Sequence, residues 1–433
     1  MIFHERNLKP CIPFLRPIIF LIAGVGLVLP ASTSIAGNLL HNFPGHNTGS
    51  YPDHNTASYP DHNAGSYPGH SAGSYPGHNA GSYPGHFRDR NPDGIDDLNN
   101  SSGSLSQLGA IQDTVRMSMN MTGFGEDNRT TDSRTVVIAG DVVYAAGGDS
   151  GDLVIWDVSN RKQPVLLAAY STGLESAEDI TLKENIVYAA GDGTDFLSVI
   201  DVSNPAGPVL KGRVSHPGIS ATRGAALHPE QPYLYLAVTD RSGAAAVAVV
   251  DISNPVEPLL TNRITHPEMT PGNSFYQQGN YLYMSGWGDD SVMIFDASDA
   301  SRPKMVRRFT DDQLLRSRGI TGRDNTLFVN SSGNKSIVAF DISDPVSPVK
   351  TGSLFHPFLT GARMSALAGN RLFVASWQGS GVFLIDVSDP SAMHLADSKF
   401  HRSLSGAHGV ALDGRFVYAT GTITGGIAIL EHE

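Results

Sequence analysis

Cysteine is almost absent from this chain of 433 residues, which contains only Cys11. A disulfide framework, a zinc site with cysteine ligands and an iron–sulfur cluster each need more than one cysteine, so all three are excluded. Charged residues are also scarce, at 17% of the chain, whereas soluble proteins usually carry about a quarter. The formal net charge of -12 disfavours contact with a phosphate backbone. We therefore expect no nucleic acid among the partners.

Common enzyme motifs are missing as well. The sequence has no Gly-x-Ser-x-Gly nucleophile elbow, no His-Glu-x-x-His zinc motif and no phosphate-binding loop. It also lacks a Cys-x-x-Cys-His haem site. Hydrophobic residues still make up 40% of the chain, which is enough for a core and excludes disorder throughout. The composition therefore indicates a folded protein without a recognisable catalytic motif.

Residues 1–36 have the layout of a secretory signal peptide. A basic segment from Arg6 to Arg16 precedes an apolar run at 18–29, which is shorter than the roughly 20 residues that span a bilayer. A small-x-small cleavage site ends at Ala36. We expect cleavage there, no membrane span in the mature chain, and a secreted, periplasmic or cell-surface location. An uncleaved anchor is the alternative.

Residues 37–103 form a second region of unusual composition. Five copies of an eight-residue repeat, such as HNAGSYPG, follow each other at 46–85. No aliphatic residue larger than alanine occurs in them, so they cannot form a core, and we expect a disordered linker or tether. One histidine begins each copy and one follows the last: His46, His54, His62, His70, His78 and His86.

These regularly spaced histidines predict capture of a transition metal. Neutral imidazole is a common ligand of copper, nickel and zinc, and a flexible chain can bring several histidines to one ion. The segment resembles the copper-binding octarepeats of prion proteins in its period and in its one histidine per repeat. The alternative is a solvated spacer that repeat slippage has lengthened.

An Asp-rich segment follows directly. Asp89, Asn91, Asp93 and Asp97 place oxygen ligands along a short loop, and Gly94 stands where a calcium loop must turn sharply. The segment resembles a single calcium repeat of the thrombospondin type 3 kind, which implies bound Ca²⁺. An acidic hinge with an Asp-Gly turn is the alternative.

From residue 104 to 433 one unit recurs seven times, and each copy contains an apolar strand that ends in an acid. The acids are Asp157, Asp201, Asp251, Asp296, Asp341, Asp386 and Glu431, at intervals of 44 to 50 residues. A period near 45 residues made of short strands is typical of a β-propeller blade. Turn residues follow the acids, so we assign the acids to backbone hydrogen bonds in turns and not to catalysis. The sequence predicts an all-β, seven-bladed propeller with four-stranded blades.

The ends of the chain predict how the ring closes. The seventh unit stops after its third strand, and a matching outer strand, SQLGAIQ at 106–112, precedes the first unit. We therefore expect an N-terminal strand to complete the last blade, because closure removes exposed sheet edges.

The strand motif LVIWD at 153–157 and its six copies resemble LVIVD repeats, which occur in secreted and surface proteins of bacteria and archaea. The resemblance covers residues 104–433. It implies a β-propeller outside the cytoplasm, and it implies little about chemistry, because the family has no agreed activity.

One aligned position falls at the start of each predicted inner strand, where propellers usually present residues to the channel mouth. Its seven members, here called the mouth ring, are Arg134, Glu178, Arg223, Asn273, Arg318, Arg363 and His408. Four arginines around one axis predict an anionic ligand or an acidic loop of a partner protein, since guanidinium suits carboxylate and phosphate groups. The alternative is that the arginines pair with acids such as Asp132 and Asp179 inside the blades.

Two other aligned positions carry residues of interest. One holds His216, His266, Asp311, His356 and His401. Because neighbouring blades stand about 10 Å apart and two ligands of one ion lie within about 4 Å, we predict a role in loop turns for this set. The other position holds Trp287 and Trp377, which form either an aromatic binding surface or packing contacts.

These features favour a secreted or surface propeller that acts as a non-catalytic binding or scaffolding module, with a metal-binding tether. One alternative is a periplasmic hydrolase or lactonase that uses the central channel. A purely structural surface protein is the other.

Overall fold

The computed structural model describes residues 117–127 and 132–433, which fold into seven four-stranded antiparallel sheets. Apart from three short 3₁₀ turns, every regular element of these residues is a β-strand. The turns are Pro217–Ile219, Pro357–Leu359 and Arg402–Leu404. The predicted signal peptide, the octarepeats, the Asp-rich segment and the strand expected at 106–112 lie outside the described residues.

The strands are numbered β1 to β28 in chain order, and each sheet is one blade. The inner strands are β2 (Val136–Ala139), β6 (Ser176–Lys183), β10 (Gly224–Leu227), β14 (Gly272–Gln278), β18 (Ser317–Arg323), β22 (Ala362–Ala368) and β26 (Ala407–Asp413). The second strands are β3 (Val142–Gly147), β7 (Ile186–Asp192), β11 (Tyr233–Thr239), β15 (Tyr281–Gly286), β19 (Thr326–Ser331), β23 (Arg371–Ser376) and β27 (Phe416–Gly421). The third strands are β4 (Asp152–Asp157), β8 (Phe196–Asp201), β12 (Ala245–Asp251), β16 (Ser291–Asp296), β20 (Ser336–Asp341), β24 (Gly381–Asp386) and β28 (Ile427–His432). The outer strands are β5 (Val165–Ser171), β9 (Val209–Ser215), β13 (Leu259–Ile264), β17 (Lys304–Thr310), β21 (Val349–Phe355), β25 (His394–Phe400) and, in the last blade, β1 (Met119–Gly125).

The seven sheets form a closed ring. Each inner strand contacts the inner strands of both neighbouring blades, and β26 of blade seven contacts β2 of blade one. The repeat period of about 45 residues therefore predicted the number of blades and their four-stranded composition correctly.

The outer strand of blade seven comes from the N-terminal side of the propeller. Met119–Gly125 pairs with β28 in antiparallel register, so this strand, and not residues 106–112, occupies that position in the described structure. Met119 is fully buried between blades six and seven. Gly123 and Gly125 lie so close to blade one that a Cβ atom would meet the carbonyl of Arg161 or the ring of Trp156.

The core consists of seven clusters, one at each interface between consecutive blades. The third strands explain this arrangement. In β4, Leu153 and Ile155 pack toward blade two, whereas Val154 and Trp156 pack toward blade seven. Because successive side chains of a strand point to opposite faces, a strand that is buried on both faces needs an uninterrupted apolar run.

The acids that end the third strands have the structural role that the sequence predicted. In the first six blades the Asp carboxylate accepts a hydrogen bond from the backbone N–H of the serine two residues later, at 2.8 to 2.9 Å. In the seventh blade Glu431 pairs with Arg415 at 2.9 Å. The six aspartates stabilise the turn between the third and outer strands, whereas Glu431 joins its third strand to the turn before β27.

Glycine permits the close approach of neighbouring inner strands. Gly224, Gly319 and Gly409 each follow a residue of the mouth ring, and a Cβ atom on any of them would lie 2.3 Å from a backbone carbonyl of the next blade. For Gly319 that carbonyl belongs to Arg363. No other residue type fits without moving the strands apart.

We predict that Gly319→Ala destabilises the propeller by about 1–3 kcal/mol, because the added methyl group overpacks the contact between blades five and six. Gly207→Ala is the matched control, since its Cβ would meet only the end of the Asn204 side chain, at 3.0 Å. Denaturant unfolding gives both free energies. Equal stability of the two variants would contradict the proposed close approach.

Candidate functional site

The mouth ring lies where the inner strands begin, at one end of the channel. Glu178, Asn273, Arg318, Arg363 and His408 are early residues of their inner strands. Arg134 lies two residues before its inner strand, and Arg223 directly precedes its own. The seven aligned residues therefore lie at the starts of the inner strands, and their role in ligand binding stays a prediction.

Hydrogen bonds between blades fix the backbone of the ring. Asn330 Nδ2 donates to the carbonyl of Arg363 at 2.7 Å, and the Ser285 hydroxyl donates to the carbonyl of Arg318. The Thr420 hydroxyl donates to the carbonyl of Arg134 at 2.5 Å, across the closure between blades seven and one. Each donor lies on the second strand of the preceding blade, so the ring residues are positioned by their neighbours as well as by their own sheets.

A residue with left-handed backbone conformation lies two positions before five of the seven ring residues. The positive φ angles are 62° at Asp132, 45° at Ala221, 53° at Arg316, 70° at Gly361 and 68° at Gly406. Only two of these are glycines, so the shared turn could hardly be predicted from the amino-acid sequence. The turn reverses the chain into the inner strand and directs the ring side chain toward the mouth.

The arginines of blades one and three have acidic partners. Arg134 contacts Asp132 at 2.7 Å and also pairs with Glu178, a ring residue of the next blade. Arg223 contacts Asp192 at 3.1 Å. The alternative of ion pairs within the blades therefore applies to these two arginines.

Within the described part of the chain Asp179 does not pair with an arginine, which corrects one part of that alternative. Its carboxylate accepts hydrogen bonds from the backbone N–H groups of Ala225, at 2.7 Å, and Ile180, at 2.9 Å. Burial raises the pKa of Asp179 to about 7. The side chain thus joins the inner strands of blades two and three and is not available to the mouth.

Arg318 and Arg363 differ from the other two arginines. Among the described residues, no carboxylate lies within 4.0 Å of either guanidinium group. Arg318 is only 9% exposed, and the Nε atoms of both residues are buried without a hydrogen-bond partner in the described part of the chain. Blades five and six therefore present two cations without a paired carboxylate among the described residues, and the charge of Glu178 acts on both only from beyond 4.0 Å.

The pKa values of Arg318 and Arg363 are both lowered by burial and by nearby positive charges. Burial, followed by the charges of Arg363 and Arg223, lowers the pKa of Arg318 well below its usual value of 12.5. Burial and the charge of Arg134 lower the pKa of Arg363 to about 10. Since guanidinium stays protonated in proteins, the lowered values mean that both positive charges are held at a free-energy cost.

His408 of blade seven extends this pattern. Its Nδ1 atom is buried and has no hydrogen-bond partner among the described residues. Burial, followed by the charges of Arg363, Arg134 and Arg318, lowers the pKa of His408 well below 6.5. The imidazole is therefore neutral at pH 7. Asn273, the ring member of blade four, is buried and uncharged.

The two aligned tryptophans pack against the arginines of the mouth. The guanidinium groups of Arg223 and Arg318 lie 5.1 Å and 4.9 Å from the centre of the Trp287 ring. The guanidinium group of Arg363 lies 5.4 Å from the centre of the Trp377 ring, and Trp377 Nε1 donates to the Thr422 hydroxyl at 2.9 Å. The indole faces orient these arginines and stabilise their charge in part.

Asp192 is a mouth residue that the sequence analysis did not identify. It lies nine residues before the acid of its third strand, as Trp287 and Trp377 do in their own units. The aligned loop position therefore supplies either an acid or an aromatic face to a ring arginine. Counting back from Asp201 in the second unit was the signal that could have identified it.

The histidine set has the turn role that was predicted. Each Nδ1 accepts a hydrogen bond from the backbone N–H two residues later, at 2.9 Å for His216, 3.2 Å for His266, 3.4 Å for His356 and 3.2 Å for His401. Asp311 accepts the same bond at 2.9 Å. Three of these turns are the 3₁₀ turns of the fold.

Among residues 117–127 and 132–433, no group of three or more His, Cys, Asp or Glu side chains is placed to bind a metal ion. The predicted ligands on the tether (His46 to His86) and in the Asp-rich segment (Asp89 to Asp97) lie outside this part of the chain. A search of the same residues also found no helix with the length and hydropathy of a membrane span.

Solved structures with the same fold have diverse activities. A catalytically inactive virginiamycin B lyase from Staphylococcus aureus, solved with quinupristin, has a TM-score of 0.56 and 11% identity, covering 73% of this chain and 99% of the lyase chain. A candidate 6-phosphogluconolactonase from Bacteroides uniformis has a TM-score of 0.53 and 14% identity, covering 60% and 82%. The WD40 propeller domain of Doa1 has a TM-score of 0.56 and 10% identity, covering 73% and 98%. At these identities the similarity establishes the fold alone.

The seven sheets and the mouth ring together define a β-propeller with seven blades and an arginine-rich channel mouth. The model of the LVIVD repeat matches residues 131–172, 175–216, 232–265, 277–311 and 362–399. These segments contain the third strands of five blades, and the other two blades repeat the same strand order. The chain is an LVIVD-repeat β-propeller. No curated protein matches it in sequence.

We predict that Arg318→Met stabilises the protein by about 1–2 kcal/mol in a buffer without polyvalent anions. Methionine keeps much of the volume and contact with Trp287 and removes a buried charge that has no acidic partner among the described residues. Arg307→Met, on the exposed surface of β17, is the control and is expected to change stability little. Urea unfolding measures both, and a clear loss of stability in Arg318→Met would contradict the account of the mouth.

Proposed function

We propose that this protein is a secreted or surface binding module without catalytic activity, and that it binds an anionic group of its ligand at the channel mouth. The observation that carries the proposal is the pair Arg318 and Arg363. Arg318 is buried and Arg363 is half-buried, both approach a tryptophan face, and neither has a carboxylate within 4.0 Å among the described residues. Functional sites commonly keep such unfavourable charges because the ligand compensates them.

The geometry favours direct recognition of oxygen atoms. Guanidinium groups offer several N–H donors in a planar fork that matches carboxylate and phosphate. The donors of Arg318 and Arg363 are pre-positioned by interblade hydrogen bonds and by the indole faces. Little side-chain entropy is lost on binding when the donors are already ordered, which increases affinity.

The enzyme alternative has less support from the same residues. Hydrolysis in a channel needs an available acid or base, or a bound metal that activates water. The ring carboxylate of Glu178 and that of Asp132 both contact Arg134, so both are engaged in ion pairs. The lyase and lactonase neighbours share the propeller but contribute no residue correspondence at their low identity.

We predict that oxyanions raise the melting temperature of the mature protein by about 2 °C or more at constant ionic strength, because a ligand that binds only the folded state stabilises it. A panel of acetate, succinate and phosphate against chloride measures the effect by thermal shift. Arg363→Ala is expected to abolish the increase, and the surface control Arg307→Ala to retain it. An unchanged anion effect in a folded Arg318→Ala/Arg363→Ala variant would refute binding at the mouth.

The octarepeats and the Asp-rich segment carry a second proposal, that the protein binds metal ions. We propose that His46, His54, His62, His70, His78 and His86 bind copper, nickel or zinc, and that Asp89, Asn91, Asp93 and Asp97 bind Ca²⁺. The support is the spacing and chemistry of the side chains. Under this proposal the octarepeats are a metal-binding arm that the propeller carries.

Elemental mass spectrometry of the mature protein tests the metal proposal, beside a variant that lacks residues 37–103. We expect copper, nickel or zinc to disappear with the deletion, and calcium also if the Asp-rich segment binds it. Substituting the six histidines with asparagine separates the two sites, since it removes only the transition metal. Metal that persists after the deletion would contradict the proposal and would revive the enzyme alternative.

A further inference from the structure

Three ring side chains with an unsatisfied buried nitrogen lie on consecutive blades. Arg318 begins blade five, Arg363 blade six and His408 blade seven. Each has a buried nitrogen without a hydrogen-bond partner in the described residues: Nε, Nε and Nδ1, respectively. Unsatisfied buried polar atoms are rare in folded proteins, and three at one aligned position on adjacent strands call for a common explanation.

On the opposite side of the mouth the arginines have acidic partners. On blades one to three, Arg134 and Arg223 are matched by Asp132, Glu178 and Asp192. An anion has no reason to prefer that side, because its cations already have partners. The charge of the ring is therefore asymmetric, with the uncompensated positive charge confined to blades five and six.

We infer that the mouth selects a compact dianionic oxyanion, a phosphate or dicarboxylate group that bridges Arg318 and Arg363 and contacts His408. The inference rests on the proposed function and specifies its ligand. A monoanion satisfies one guanidinium group and leaves the second cation buried and uncompensated. A dianion neutralises both and supplies acceptor oxygens for both orphaned Nε–H groups.

Two structural features support a small ligand group. The close approach of the inner strands at Gly319 fixes Arg318 beside the backbone of Arg363. Arg363 is also the neighbouring charge with the largest effect on the pKa of Arg318. One compact anion can therefore contact both, whereas a larger polyanion would have to extend beyond them.

Isothermal titration calorimetry of the full mature protein tests the inference with two matched probes, succinate and monomethyl succinate, which differ by one charge. Inorganic phosphate at pH 8 is the third probe and distinguishes a phosphate group from a dicarboxylate. We expect succinate or phosphate to bind at least tenfold more tightly than monomethyl succinate. Arg363→Met should reduce the dianion affinity at least tenfold and bring it close to that of the monoanion.

The remaining outcomes separate this inference from the proposed function. Equal affinity for succinate and its monomethyl ester, lost in Arg363→Met, would overturn dianion selection and leave anion binding at the mouth intact. No binding of any probe, or binding that Arg318→Met and Arg363→Met leave unchanged, would overturn both. Circular dichroism confirms that each variant is folded, and Arg307→Met serves as the charge-matched control away from the mouth.

Discussion

The structure depends on the burial of each blade between its two neighbours. Every third strand is apolar on both faces, and its side chains divide between two interface clusters, as Leu153 and Val154 do in blade one. No blade can bury both faces alone, so the ring must close. Closure needs the outer strand Met119–Gly125 and places seven inner-strand starts around one axis. The geometry of the mouth is thus a consequence of the packing between blades.

The charged arginines of the mouth ring lower the stability that packing between the blades provides. Interblade bonds to the carbonyls of Arg318 and Arg363 hold their backbones in place, and the charge of Arg363 lowers the pKa of Arg318. Indole faces compensate part of the cost. On blades one and three, acids perform that role instead. The arginines at this one aligned position are therefore of two kinds, those with an acidic partner and those without. The proposed ligand binds where the acidic partners are missing.

Much of the fold could be predicted from the sequence because its signals are local and periodic. The acids from Asp157 to Glu431 marked the third strands, and counting from them gave the mouth ring and the turn histidines. The closing strand was harder, because its apolar side chains near Met119 are methionines and not the branched residues that mark the other strands. The alternative that named Asp132 as a partner is right for Arg134, but which of the four arginines have acidic partners could not be predicted. The partner of Arg134, Glu178, lies on the next blade, and the turns before the ring use non-glycine residues such as Asp132 and Arg316 at positive φ.

Diffraction from crystals soaked in selenate tests the central claim most directly, because the selenium atom of this dianionic oxyanion is located by its anomalous signal. The account predicts an anomalous peak at the channel mouth, within hydrogen-bond distance of the guanidinium groups of both Arg318 and Arg363. An empty mouth in which both arginines pair with carboxylates of the protein itself would contradict it.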